Sequence, residues 1–108
     1  MNEKELQNDC LDYANKNGVF AFTVASVGIF DPVSKTFRTR QRFSINGQAD
    51  SIAVMPGGYV WFVEFKVPGG KQSKAQLAFE KRLRIMGANY IVIRSFEEFK
   101  QFIEREKK

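Results

Sequence analysis

Histidine is absent from the 108 residues, and cysteine occurs once, at Cys10. The first absence removes His-based triads, imidazole proton shuttles and His-ligated zinc. The second excludes an internal disulfide and any multi-cysteine zinc site, and leaves Cys10 as a small core residue. Any metal must therefore be held by oxygen, which favours Mg²⁺ or Mn²⁺. No apolar run approaches the roughly 18 residues of a membrane span. The N-terminus, Met1-Asn2-Glu3-Lys4-Glu5, is charged from the start, unlike a secretory signal. A cytoplasmic location and no membrane partner are expected.

What is present describes a folded α/β chain. Hydrophobic residues make up 44% of the sequence, with 11 Phe among them, enough for a core in one domain spanning 1–108. The net charge of +5 points to a polyanionic partner. Leu6, Cys10, Tyr13 and Ala14 recur at helical spacing from Glu3 to about Asn17. Val19 to Ile29 reads as a strand, Asp31-Pro32 as a turn or loop, and Thr36 to Ser44 as a second strand. Asn46-Gly47 punctuates before two further strands. Ser73 opens a helix to about Met86, Asn89 to Ile93 is a short buried strand, and Ser95-Phe96-Glu97-Glu98 has capping-box spacing for a last helix. The order is α-β-β-β-β-α-β-α.

Asp50 to Lys66 carries the chemistry. Two β-branched and aromatic runs flank Pro56-Gly57-Gly58, a hairpin signal. With the three turn residues unpaired, Met55 faces Tyr59, Val54 pairs with Val60, Ile52 with Phe62 and Asp50 with Glu64. Strand alternation then sets Asp50, Glu64 and Lys66 on one face, together with Ile52, Val54, Val60 and Phe62, which makes it largely a core face. Two carboxylates about 5 Å apart repel by roughly 3 kcal/mol at an effective dielectric near 20, and a cation between them reverses that sign. The bland alternative is a solvated acid at the strand start and an exposed Glu-Lys pair.

At this point the residues resemble a family. Gly47-Gln48-Ala49-Asp50, then Glu64-Phe65-Lys66, then Gln76 in the following helix look like the VRR-NUC branch of the PD-(D/E)XK nucleases, and the chain is similar to its stand-alone phage and bacterial members. Pro56-Gly57-Gly58, Gly70-Lys71-Gln72-Ser73 and Gly87 through Arg94-Ser95 extend the likeness over nearly the whole chain. The resemblance implies a restriction-endonuclease-like core, a mixed central β-sheet flanked by helices. It implies that Asp50, Glu64 and the backbone carbonyl of Phe65 ligate the metal, and that Lys66 positions or polarises the attacking water. Gln76 faces the same pocket on this reading, although Ser73-Lys74-Ala75-Gln76 is also a capping box. A helical glutamate completes the site: Glu3 fits its inward spacing best and Glu5 competes with it. Ala49 departs from the proline common in related sequences.

Lys71 and Lys74 are placed to meet a phosphate near the metal. Arg38, Arg40 and Arg42 form either a backbone-tracking stripe, spaced about 6 to 7 Å apart, or a charged face that blocks edge pairing. The expectation is a Mg²⁺- or Mn²⁺-dependent DNA endonuclease in a bacterial or phage-infected cell. By resemblance it works as a homodimer on branched DNA such as Holliday junctions and leaves 5′-phosphates. Alternatives are a flap or nicking repair nuclease and a non-catalytic basic DNA-binding module.

Overall fold

A computed structural model describes residues 1–24, 30–31, 36–37 and 47–107. Its elements are α1 (Glu3–Lys16), β1 (Phe20–Thr23), β2 (Phe30–Asp31), β3 (Thr36–Phe37), β4 (Ser51–Val54), β5 (Val60–Phe65), α2 (Lys74–Ile85), β6 (Asn89–Ile93) and α3 (Phe96–Glu106). Four strands form a mixed sheet in the order β1-β4-β5-β6, and β2 and β3 pair separately. The α/β class read from the sequence holds. The element order gains one short strand, because Phe30–Asp31 pairs antiparallel with Thr36–Phe37 where a turn or loop was expected.

The central hairpin has the predicted register. Val54 lies opposite Val60 and Ile52 opposite Phe62, and the Met55 N–H donates to the Tyr59 carbonyl at 2.7 Å. From β5 the chain crosses through α2 to β6, which runs parallel to β5, as a βαβ unit requires. β1 is shorter than the Val19–Ile29 run. Its partner β4 begins at Ser51, opposite Thr23, and the Val24 N–H closes the ladder on the Asp50 carbonyl at 2.8 Å. Residues 25–29 and 38–46 lie outside the described residues, so the expected strand over Thr36–Ser44 is seen only at Thr36–Phe37. At the outer edge of β1, Asn15 of α1 both donates to the Ala21 carbonyl and accepts its N–H.

The two sheet faces are covered unequally. Ala21, Ala53, Met55, Val63, Phe65 and Ile93 pack on Leu6, Cys10 and Ala14 of α1 and on Phe99, Phe102 and Ile103 of α3. Cys10 sits in that core, and burial, followed by the charge of Asp9, pushes its thiol up to about 12, which leaves it protonated and unreactive. The opposite face carries Asp50, Ile52, Phe62, Glu64 and Tyr90 and, among the described residues, meets α2, through Phe62 against Phe79 and Phe79 against Tyr90. No residue of α2 is buried. This face was expected to be largely core and is not: Ile52, Val54 and Phe62 are half-buried and Val60 is exposed. Among the described residues one helix packs on that side where two pack on the other.

Candidate active site

Three side chains of the Asp50–Lys66 segment meet at the end of the hairpin, on the α2 side of the sheet. Asp50 precedes β4 and is half-buried. Its Oδ2 accepts the Phe65 N–H at 2.9 Å, which fixes the carboxylate across from the end of β5. Glu64 is 1% exposed. Its Oε2 accepts a hydrogen bond from Gln76 Nε2 at 3.0 Å. Its Oε1 is a buried oxygen with no hydrogen-bond partner among the described residues. Burial first, and then the nearby Asp50 carboxylate, push the Glu64 carboxyl up to about 9, while Lys66 opposes them.

An acid held this far from its ordinary range sits where burial and a second carboxylate outweigh the one nearby lysine. The donor set fits a hard divalent cation: it is all oxygen, and among the described residues Glu64 Oε1 has no hydrogen-bond donor. Among the described residues no three Asp, Glu, Cys or His side chains are grouped closely enough to hold an ion. Two carboxylates are then the side-chain share, a pattern that suits Mg²⁺, which takes its remaining ligands from backbone, water and substrate phosphate.

Glu3 does not join the two acids. It is the first residue of α1, exposed, and its Oε1 lies 3.7 Å from where a Cβ on Gly70 would stand. Its charge still acts on Glu64, so it borders the site. Glu5 is turned to its own helix end: its N–H donates to Asn2 Oδ1 at 2.8 Å and its Oε1 accepts from Asn2 Nδ2 at 3.2 Å. The two readings of Gln76 coexist. Its Oε1 accepts the Ser73 N–H at 2.9 Å, completing the capping box, while its Nε2 reaches Glu64.

Several residues that carried the family likeness, or lie beside it, had no role assigned from the sequence. Gly47, at φ +78°, lies against the first turn of α2: a Cβ there would stand 2.3 Å from the Ala75 carbonyl carbon and 2.6 Å from the Gln76 nitrogen. The turn after Lys66, Val67-Pro68-Gly69-Gly70, is closed by the Gly70 N–H on the Val67 carbonyl at 2.9 Å. Gly69 takes the positive φ, +85°, that the position after proline in a type II turn demands. Arg94, immediately after β6, grips that turn through Nη1, which donates to the Gly70 carbonyl at 2.6 Å and reaches the Val67 carbonyl at 3.4 Å. Further along, Gln72 Nε2 donates to Glu80 Oε1 at 3.1 Å and to the Tyr90 hydroxyl at 3.2 Å. The available signal for Arg94 was the alternation of β6, which puts Tyr90, Val92 and Arg94 on the α2 side. Lys71 and Lys74 are exposed beside this loop. Arg38, Arg40 and Arg42 lie outside the described residues.

No protein-family model matches the chain, and no curated protein matches it. Among solved structures it is similar to one described as a VRR_NUC domain, at 25% identity and a TM-score of 0.72 over 96% of each chain. That structure shares the arrangement of three helices about a mixed sheet, the restriction-endonuclease-like architecture that the sequence motifs implied. Together with the order of those motifs, this likeness over nearly the whole length supports a VRR-NUC domain, the fold of a nuclease family.

Proposed function

We propose that this protein is a divalent-metal-dependent endonuclease that hydrolyses phosphodiester bonds in DNA. The observation that carries the reading is the carboxylate pair itself, the buried Glu64 beside Asp50, two residues before a lysine. Asp50, Glu64 and the Phe65 carbonyl would hold Mg²⁺ or Mn²⁺. When bound, the cation supplies positive charge that acidifies water and polarises a phosphoryl oxygen. Gln76 holds Glu64 through Oε2, which leaves Oε1 for the ion. Lys66 shares the strand face of Glu64, orients the attacking water and offsets charge gathering on the scissile phosphate. Glu3, at the border of the site, orders water on the side away from α2. Lys71 and Lys74 receive the flanking backbone. The first turn of α2 carries no acid, so its amide dipoles stay available to phosphate.

The products carry 5′-phosphates and the preferred DNA is branched, a Holliday junction above all. A homodimer presents two such centres, one to each strand of the junction. The motif resemblance supports these finer features, and also action in the cytoplasm of a bacterial or phage-infected cell. No helix among the described residues is long and apolar enough to cross a membrane.

The test is cleavage of a four-way junction, a flap, a nicked duplex and a plain duplex with Mg²⁺, Mn²⁺ or EDTA, beside Lys66→Ala. Cutting that needs metal and disappears in the variant is expected, with the junction preferred. A preference for the flap or nick moves the protein to repair. Binding without cutting under every condition overturns the enzyme reading in favour of a DNA-binding module.

A further inference from the structure

We propose that Arg94 is a positioning residue of the nuclease centre, holding the turn that follows Lys66 from the end of β6. The inference rests on Lys66 acting at the scissile phosphate. β5 and β6 run parallel with Phe65 beside Ile93, and the Lys66 N–H donates to the Ile93 carbonyl at 3.0 Å, so the next residue of β6 in register with Lys66 is Arg94. On the other side of Lys66 the chain leaves the sheet at once, through Val67-Pro68-Gly69-Gly70. Nothing in the ladder holds that exit. Arg94 does, with one terminal nitrogen donating to the carbonyls of the first and last residues of the turn.

The partners of this guanidinium are unusual. It forms no ion pair with a carboxylate among the described residues, where the ion pairs are Lys16–Asp12, Arg84–Glu80 and Lys107–Glu104. Its backbone N–H, not its side chain, meets Glu98, at 3.2 Å. A charged donor on a carbonyl makes a stronger bond than a neutral one, so the half-buried arginine is suited to fixing backbone. The far end of the same segment is fixed separately, by Gln72 on Tyr90 and Glu80. Loss of Arg94 therefore frees the turn without releasing α2. The consequence falls on Lys66, whose direction is set by the strand on one side and the turn on the other, and on Gly70, which lies beneath Glu3. A displacement of about 1 Å in a catalytic group costs on the order of 100-fold in rate.

Arg94→Ala, Arg94→Lys and the parent protein are compared by steady-state cleavage of the preferred DNA, by thermal melting, and by hydrogen exchange of the 66–73 segment without DNA or metal. For Arg94→Ala we expect kcat to fall about 10- to 100-fold, KM for DNA to stay within about twofold, and exchange at the turn to quicken. Arg94→Lys keeps the charge, but its shorter side chain does not bring a nitrogen to where Nη1 stands against both carbonyls, and it is expected to recover part of kcat. It also carries the test if the alanine variant does not fold, since parental kcat and parental exchange in folded Arg94→Lys overturn the proposal. A rise in KM with kcat unchanged overturns it too, and would make Arg94 a DNA-binding residue. Exchange is read without catalysis: if the parent protein cuts no DNA, the nuclease reading falls while the grip on the turn is still measured.

Discussion

Removing the charge of Asp50 and removing its side chain have different expected consequences, because Oδ2 accepts the N–H of the fully buried Phe65 at 2.9 Å. Repulsion between Asp50 and Glu64 alone would make any neutral replacement stabilising without metal. The hydrogen bond changes that: Asp50→Ala leaves a buried N–H unpaired, a loss of about 1 to 3 kcal/mol, whereas Asp50→Asn keeps an acceptor. The sign with pH follows from Glu64. Its carboxyl is raised from 4.5 to about 9, by burial before Asp50, so its contribution is full below the unfolded value and is lost as pH climbs through the folded one. Metal-free protein should therefore lose stability between about pH 5 and 9, by at most about 1.4 kcal/mol per pH unit. Melting curves across that range in EDTA should show Asp50→Asn flattening the decline and melting above the parent, with Asp50→Ala at or below it. An equal rise in both variants would mean the bond to Phe65 contributes nothing. These acids were legible because strand alternation converts sequence spacing into a shared face. The role of Arg94 was not, since it depends on a carbonyl 24 residues away in the chain.

At the level of elements, local chemistry was a sound guide where it was self-sufficient. Pro56-Gly57-Gly58 sets the hairpin register, Ser73 and Ser95 cap their helices, and Asn89–Ile93 is a strand to the residue. The capping box of α3 is split, however: the Glu98 N–H meets Ser95 Oγ at 3.1 Å, while the Glu98 carboxylate takes the Arg94 N–H at 3.2 Å instead of that of Ser95. Strand ends were less legible: the described pairing of β1 covers Phe20–Thr23 opposite Ser51–Val54, and a run of Val and Phe does not say where a partner strand begins. Nor does alternation say which face a helix will cover. Gly47 belongs to this scale, since it decides how closely α2 approaches the loop before β4. A Cβ at that position would overlap backbone at 2.3 Å, and the positive φ adds strain. We expect Gly47→Ala to push the first turn of α2 outward, to break the Gln76–Glu64 bond, and to lower activity at least as far as Gln76→Ala. The variant should also melt several degrees lower. A Gly47→Ala protein with parental melting and activity would show that α2 tolerates the shift and that its close approach has no role in the site.

Across the whole molecule, the charge of +5 and the one-sided covering of the sheet act together. Among the described residues two helices cover the core face and one the other, where Glu64 is buried, Asp50 is half-buried and Lys71 and Lys74 are exposed nearby. In the proposed function, acids under a basic rim separate two tasks: the acids would retain a cation and the rim would draw in a polyanion whose backbone comes to rest over it. The rim lysines then contribute to DNA affinity through counterion release, and that term has its own signature. Each phosphate deprived of its lysine should reduce the slope of log Kd against log salt by about one. Lys71→Ala with Lys74→Ala should therefore weaken binding to every DNA shape alike at low salt and flatten the slope by about two, with the metal-dependent step unaffected once DNA is saturating. Binding titrations from low to moderate salt, in Ca²⁺ or EDTA so that nothing is cut, measure it. An unchanged slope would move DNA recognition away from the start of α2 and onto the Arg38, Arg40 and Arg42 stripe, and the same titration on that triple variant would then carry the missing slope.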